Sequence, residues 1–161
     1  FNELEKELIK VLDKKKIKYY SCIKELNIDN NKLYFLQTKE YDNENDNSNA
    51  IYTKLDEYKF LFMGDAETKN EEARSWPQTN VLKVGHHGSN TSSSQSFLDQ
   101  VKPQIAVISV GKGNKYGHPK QVILDRLNKM GVKIYRTDES GTIKITCDGK
   151  ENKIEFVKFE K

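Results

Sequence analysis

The 161-residue sequence predicts an α/β (α+β) domain of mixed sheets flanked by helices, and three observations carry that prediction. The runs LFMGDAE (Leu61 to Glu67) and VLKVGHHGS (Val81 to Ser89) open with apolar, β-forming residues. Each then reaches a glycine beside an acid or imidazole, as a buried strand does when it delivers a polar group at its tip. From Val81 onward, strand-like and helix-like segments alternate regularly. Before that point, short strand-like runs are separated by Asn- and Asp-rich turns, which reads as hairpins. No internal repeat or linker divides the chain, so residues 1–161 are taken as one domain, long enough to bury a core.

Taken in order, residues 3–15 place Leu4, Leu8, Val11 and Leu12 at helical spacing, giving an amphipathic helix. Its end at Lys14-Lys15-Lys16 suits the negative pole of a helix and reads as solvated rather than as a nucleic-acid patch. Residues 17–23 and 32–37 are expected as strands around a turn at 27–31. The polar stretch 39–49 is expected as a loop; its acids lack the glycine and closing glutamate of a calcium-binding loop. Strands at 50–55 and 58–63 flank an Asp56-Glu57 turn. A short helix at 67–74 ends at Trp76-Pro77, and 81–84 is the next buried strand. A helix at 94–101 opens on a serine run in which Ser92 to Ser94 are expected to cap. A strand at 105–110, a helix at 119–130 with Pro119 in its first turn, and a strand at 132–136 after Gly131 follow. Residues 141–147 and 153–159 close the chain as a hairpin around Asp148-Gly149. Cys22 and Cys147 are far apart and read as small strand residues.

Composition narrows the function only slightly. The 27 basic and 24 acidic residues nearly cancel, and a net charge of +3 argues little for a polyanionic partner. No apolar run approaches the roughly 20 residues that cross a bilayer. The start at Phe1-Asn2-Glu3, without a methionine, reads as a mature product or a piece of something longer. The compartment stays open, including an extracytoplasmic or membrane-associated one reached through other parts of a parent.

The chemistry resides at the strand tips. Asp65, His86 and His87 are candidate metal ligands, because a carboxylate can bridge two cations while imidazoles fill positions on one of them. Such a pair of cations activates a water and steadies the leaving oxygen of a phosphodiester or similar ester. Three side chains are too few for that, and the chain has only three histidines. The third, His118, lies in NKYGHP and is a candidate to hold substrate or to protonate a leaving group. His87 shares the catalytic candidacy. Ser89, Asn114, Tyr116 and His118 are the candidate substrate-binding residues: Ser89 by hydrogen bonding and Tyr116 by stacking on a ring, with packing the rival role for Tyr116. Asp138 is either a partner that orients a histidine or a turn aspartate before Gly141.

The segments LFMGDAE, LKVGHHGS, AVISVGKGNKYGHP and YRTDESGTI, in this order and spacing, closely resemble the metallo-β-lactamase-fold domain of the ComEC family of competence DNA-internalisation proteins. The resemblance covers most of the chain. It implies an αββα sandwich and a dinuclear hydrolase site, usually of zinc, with manganese as the other candidate. It further implies that Asp65 bridges the metals, that one of His86 and His87 is the last histidine ligand while the other faces substrate, and that His118 is the GHP histidine near the pocket. A phosphodiester, DNA first, is the implied substrate. The upstream H-x-H-x-D-H element of the family is absent, and no histidine precedes His86. The chain is therefore expected to be the C-terminal part of the domain, to bind metal poorly alone, and to pair with a second copy through open sheet surface. The rival readings are a non-catalytic binding or scaffolding domain, an enzyme completed by a partner chain, and a hydrolase of another ester.

Overall fold

The computed structural model describes residues 3–20, 23–36, 45–147 and 152–157. Its elements are α1 (Glu3–Lys14), β1 (Glu25–Ile28), β2 (Asn31–Phe35), β3 (Ile51–Leu55), β4 (Tyr58–Phe62), α2 (Thr68–Glu72), β5 (Val81–Lys83), a 3-10 turn (Gly85–Gly88), α3 (Gln95–Val101), β6 (Ile105–Ile108), α4 (Gln121–Lys129), β7 (Lys133–Arg136), α5 (Thr137–Ser140), β8 (Thr142–Cys147) and β9 (Asn152–Val157).

Seven strands form one mixed sheet in sequence order, β1 to β7. The first four pair antiparallel through hairpins, with the Asp56-Glu57 turn where the sequence places it. From β4 to β7 the pairing is parallel, because each connection runs through a helix or a long crossover. On one face, Leu61, Leu82, Ala106 and Ile108 are fully buried. They form a single core with Phe97, Leu98 and Val101 of α3 and Ile123 and Leu127 of α4. Strands β8 and β9 make a separate antiparallel ribbon, as the closing-hairpin expectation requires.

Several expectations are corrected. Residues 17–20 and 23 are not strand; β1 lies instead at Glu25–Ile28, partly where a turn is expected. The pairing Ile28↔Asn31 leaves Asp29-Asn30 as a two-residue connection, so Leu26 and Leu33 become direct partners. Helix α1 forms, yet its apolar stripe faces outward: Leu4, Leu8 and Val11 are all exposed. Pro119 precedes α4 by two residues rather than sitting in its first turn. Of the serine run, Ser94 Oγ caps α3 by accepting from the Phe97 N–H at 3.3 Å. Ser92 instead donates to the Gly85 carbonyl at 2.9 Å. Cys22, residues 39–44, the Asp148-Gly149 turn and residues 158–159 lie outside the described residues; Cys147 is half-buried on β8.

The junction between α2 and α3 is held by one buried carboxylate. Glu71 is 1% exposed and accepts from the backbone N–H groups of Ser93 and Ser94. Its own carbonyl accepts from Trp76 Nε1 at 2.6 Å, and the Trp76 ring packs edge-on against Phe97. Burial pushes the Glu71 carboxyl up from its ordinary 4.5, against the pull of the Ser94 and Ser93 hydrogen bonds and the Arg126 charge. Between the ordinary and the raised value the folded chain holds a proton that the unfolded chain has released. Stability from this group therefore falls as pH rises through that window. Replacing Glu71 with Gln removes the titration and leaves one acceptor for two N–H groups, a loss of about 1–3 kcal/mol at neutral pH. Chemical denaturation of both proteins across pH should show the wild-type advantage growing as pH drops toward 4.5. A pH-independent difference would contradict this account.

Candidate functional site

Parallel pairing sets the geometry. The register Phe60↔Val81 and Phe62↔Lys83 makes β4 and β5 end side by side, and β6 ends beside β5 through Lys83↔Val107. Gly64-Asp65, the Gly85–Gly88 turn and Ser109 therefore leave the same edge of the sheet, the carboxyl edge at which parallel strands present ligand-binding groups. The His86 N–H donates to the Gly64 carbonyl at 3.0 Å, which ties the two tips together.

Both histidines of the pair adopt left-handed backbone, His86 at φ 45° and ψ 45° and His87 at φ 54° and ψ 19°. Each such residue costs about 1–3 kcal/mol when it carries a side chain, so the surrounding bonds must hold it there. The Ser89 N–H donates to the His86 carbonyl at 2.8 Å, and Ser92 closes onto Gly85. The result is that the two imidazoles diverge. His87 Nδ1 lies 2.6 Å from the Ser109 carbonyl oxygen. A carbonyl only accepts, so Nδ1 carries a proton, and the other ring nitrogen, Nε2, lies 3.5 Å from Asp65 Oδ1. His86 Nδ1 faces Glu67 Oε1 at 3.2 Å, and Thr91 Oγ1 donates to the same carboxylate oxygen at 3.0 Å.

The aspartate tip is supported by the polar stretch that the sequence marks only as a loop. Ser48 Oγ accepts from the Asp65 N–H at 3.0 Å, and Asp46 Oδ1 accepts from the Glu67 N–H at 3.2 Å. Asn70 donates to the Asp46 carbonyl, and Asp46 is buried. Ser48 comes so close that a Cβ on Gly64 would lie 3.0 Å from Ser48 Cβ, and Gly64 has φ +58°. Lys83 Nζ donates to the Gly64 carbonyl at 3.4 Å; burial pushes its ammonium pKa down and the Asp65 charge pulls it back.

His118 arrives from the loop after β6. Asn114 clamps that loop, with Nδ2 donating to the His118 carbonyl at 2.7 Å and Oδ1 accepting from the His118 N–H at 3.0 Å. The His118 ring lies 6.0 Å from that of His86 and stacks at 5.9 Å on Tyr116. Its Nδ1 is buried without a hydrogen-bond partner, and burial first, then Lys120, His86 and His87, push its pKa down. Asp65, His86, His87, His118, Asn114 and Tyr116 thus gather at one edge. Ser89 lies beneath it, 5% exposed, with its hydroxyl bonded to Thr91. Asp138 orients no histidine: its carboxylate forks onto Arg136 at 2.6 and 3.0 Å. Glu67, Thr91, Ser109, Asp46 and Ser48 join the assembly unforeseen. The nearest signal was Glu67, two residues past Asp65; Asp46, Ser48 and Ser109 act through or upon backbone groups, and Thr91 through a hydroxyl bonded to Glu67, contacts that have no sequence signature.

The profile of the metallo-beta-lactamase superfamily matches residues 26–112. The chain belongs to the metallo-β-lactamase superfamily. Among its relatives, it is 36% identical over 104 residues to ComE operon protein 3 of Bacillus subtilis, spanning 62% of this chain and 13% of that protein. It is 39% identical over 104 residues to Recombination protein 2 of Haemophilus influenzae, again 62% and 13%. To competence protein ComA of Neisseria gonorrhoeae it is 39% identical over 116 residues, 68% of this chain and 17% of that protein. The relatives are those of the ComEC resemblance, and the chain spans less than a fifth of their length.

The superfamily generally binds metals such as zinc. In this chain the donor chemistry fits two positions of such a site: the Asp65 carboxylate and the His87 Nε2, the latter on a ring held by a backbone carbonyl at its other nitrogen, as metal-binding histidines usually are. A cation held between Asp65 Oδ1 and His87 Nε2, 3.5 Å apart, would take the place of a proton on Nε2. Among the described residues, no three His, Cys, Asp or Glu side chains form a metal-holding group. The close approach at Gly64 gives a direct test of how this edge is held. Gly64→Ala should destabilise the fold by about 1–3 kcal/mol, from the left-handed backbone and the displaced Ser48. Thermal unfolding would show it; an unchanged or raised midpoint would contradict the Ser48–Gly64 contact.

Proposed function

We propose that this chain carries one side of a metal-dependent hydrolytic centre, ComEC-like, that acts on phosphodiesters, DNA first, within a longer competence-type protein. The observation that carries the reading is the His87 and Asp65 pair, with the imidazole fixed through Ser109 and its other nitrogen turned to the carboxylate. Zinc, two ions in the whole domain, is the metal in this reading, with manganese as the alternative. It would supply electrophilic activation of the phosphodiester and of a water. Among the described residues, Asp65 and His87 would be its ligands.

The roles of the other residues follow from where they sit. His86, held at Nδ1 by Glu67, turns toward His118 and faces the substrate rather than Asp65. His118 has a depressed pKa, so it is neutral near pH 7 and accepts or relays a proton in that state. Lys83, beside Asp65 and the Gly64 carbonyl, adds positive charge close to where a phosphate would dock. Among the described residues no helix is long and apolar enough to cross a membrane, so membrane attachment would come from other parts of a parent.

A second reading, a binding domain that keeps the fold without catalysis, is favoured by the absence, among the described residues, of any group of three side chains that could hold a metal. Metal content and phosphodiesterase activity of the longer protein separate the two. The hydrolytic reading predicts bound zinc or manganese, activity abolished by chelation and restored by metal, and a loss of at least about a hundredfold in Asp65→Ala and His87→Ala. Metal-free protein, or full activity in both variants, would leave the binding-domain reading standing.

A further inference from the structure

The loop from Gly111 to Pro119 has more order than a surface connection needs, and it is fastened to the histidine turn. The Lys120 N–H donates to the Gly88 carbonyl at 2.9 Å, and a Cβ on Gly88, which has φ +81°, would lie 2.7 Å from Pro119 Cβ. Asn114 closes the loop on itself through three hydrogen bonds, two to His118 and one to the Gly111 carbonyl. Lys120 Nζ donates to the Tyr116 carbonyl at 2.7 Å. A loop so fixed holds its side chains in place before any ligand arrives.

What it holds is a row of rings. From His87 to His86, from His86 to His118 and from His118 to Tyr116 the centroids are 6.4, 6.0 and 5.9 Å apart. The last two rings are near-parallel, 18° apart, and Tyr116 ends the row with 65% of its surface exposed. A large aromatic left open beside a polar edge, on a rigid loop, is out of place as packing. Lys115 Nζ lies 5.2 Å from the Tyr116 centroid, and Lys112 is exposed on the same loop. Planar stacking surface and local positive charge together are what a nucleotide offers a complement to: a base and its phosphate.

We propose that Tyr116, backed by His118 and flanked by Lys115, is a stacking platform for an unpaired base, so that the site takes a single strand or a frayed end rather than intact duplex. The proposal rests on the phosphodiester reading and specifies its substrate. Bases within a duplex are already stacked on each other and cannot lie on Tyr116, whereas a base at a strand end can. Its phosphate then runs toward His118 and His86, and Lys115 exchanges its contact with the ring for that phosphate. The near-balanced charge of the chain agrees with a footprint of a few nucleotides rather than a long electrostatic track.

The test is binding, measured by fluorescence anisotropy with this chain in chelator at one fixed salt concentration, so that neither metal nor cleavage enters. The probes are a labelled oligothymidylate of about ten nucleotides, a strand of the same length made of abasic deoxyribose phosphates, and a blunt duplex. The oligothymidylate should bind on the order of tenfold tighter than either comparator. Tyr116→Ala should erase that advantage and Tyr116→Phe should keep it; an exposed tyrosine can be replaced without loss of fold. Equal binding of the abasic strand or the duplex, or an unchanged Tyr116→Ala, would overturn the platform. Retained base-dependent binding in a longer protein that cleaves nothing would sink only the hydrolytic reading.

Discussion

Parallel pairing of β4 with β5 is the constraint on which the rest of the site depends. Neither strand is long, and neither tip makes a site alone. Paired in register, they bring a glycine-linked carboxylate and a glycine-flanked histidine pair to one edge, with β6 adding the Ser109 carbonyl from the far side. The burial of Leu61, Leu82 and Ala106 under α3 and α4 is what makes that register rigid. A slip by one residue would turn those side chains to the wrong face and carry Asp65 away from His87.

Rigidity of the strands is not sufficient, because the functional groups lie just beyond them. Three supports extend the order. Asp46 and Ser48 hold the Asp65 tip by its backbone, Ser92 and Ser89 close the histidine turn, and Glu71 pins the start of α3 that follows it. Asp46, Ser48, Ser92 and Glu71 use polar side chains to satisfy backbone N–H or C=O groups that have left the sheet, and Ser89 adds its own backbone N–H. That is why a chain with so much polar loop still presents two left-handed histidines in one arrangement. The strain of those residues is offset by bonds to their own neighbours, and their side chains diverge as a consequence.

Much of this was legible in the sequence, and the limits have physical causes. The β4 and β5 tips, the alternating helices and strands after Val81, the Asp56-Glu57 hairpin and the closing ribbon follow from apolar periodicity and turn residues. The family resemblance of the motif order agrees with the superfamily match over residues 26–112, and the same motifs put Asp65, His86, His87 and His118 forward as candidates. Residues 17–20 and 23, expected as strand, are not, because their aromatic and β-branched side chains suggested pairing that Leu26 and Leu33 make instead. Asp138 went to Arg136 because an adjacent guanidinium offers a two-point partner that a distant imidazole does not. Ser48, Asp46 and Ser109 were illegible for a different reason: they act through the backbone or upon it, and any short polar residue, or any residue at all in the case of a carbonyl, can do so.

The central claim is that His87 is fixed by Ser109 at Nδ1 with Nε2 turned to Asp65. Long-range proton–nitrogen correlation spectra of the imidazole rings test it most directly. The account predicts the Nδ1-protonated tautomer for His87 at neutral pH, with the Nε2 resonance moving on addition of zinc and failing to move in Asp65→Ala. A His87 without a proton on Nδ1, or a ring indifferent to both zinc and Asp65, would contradict it.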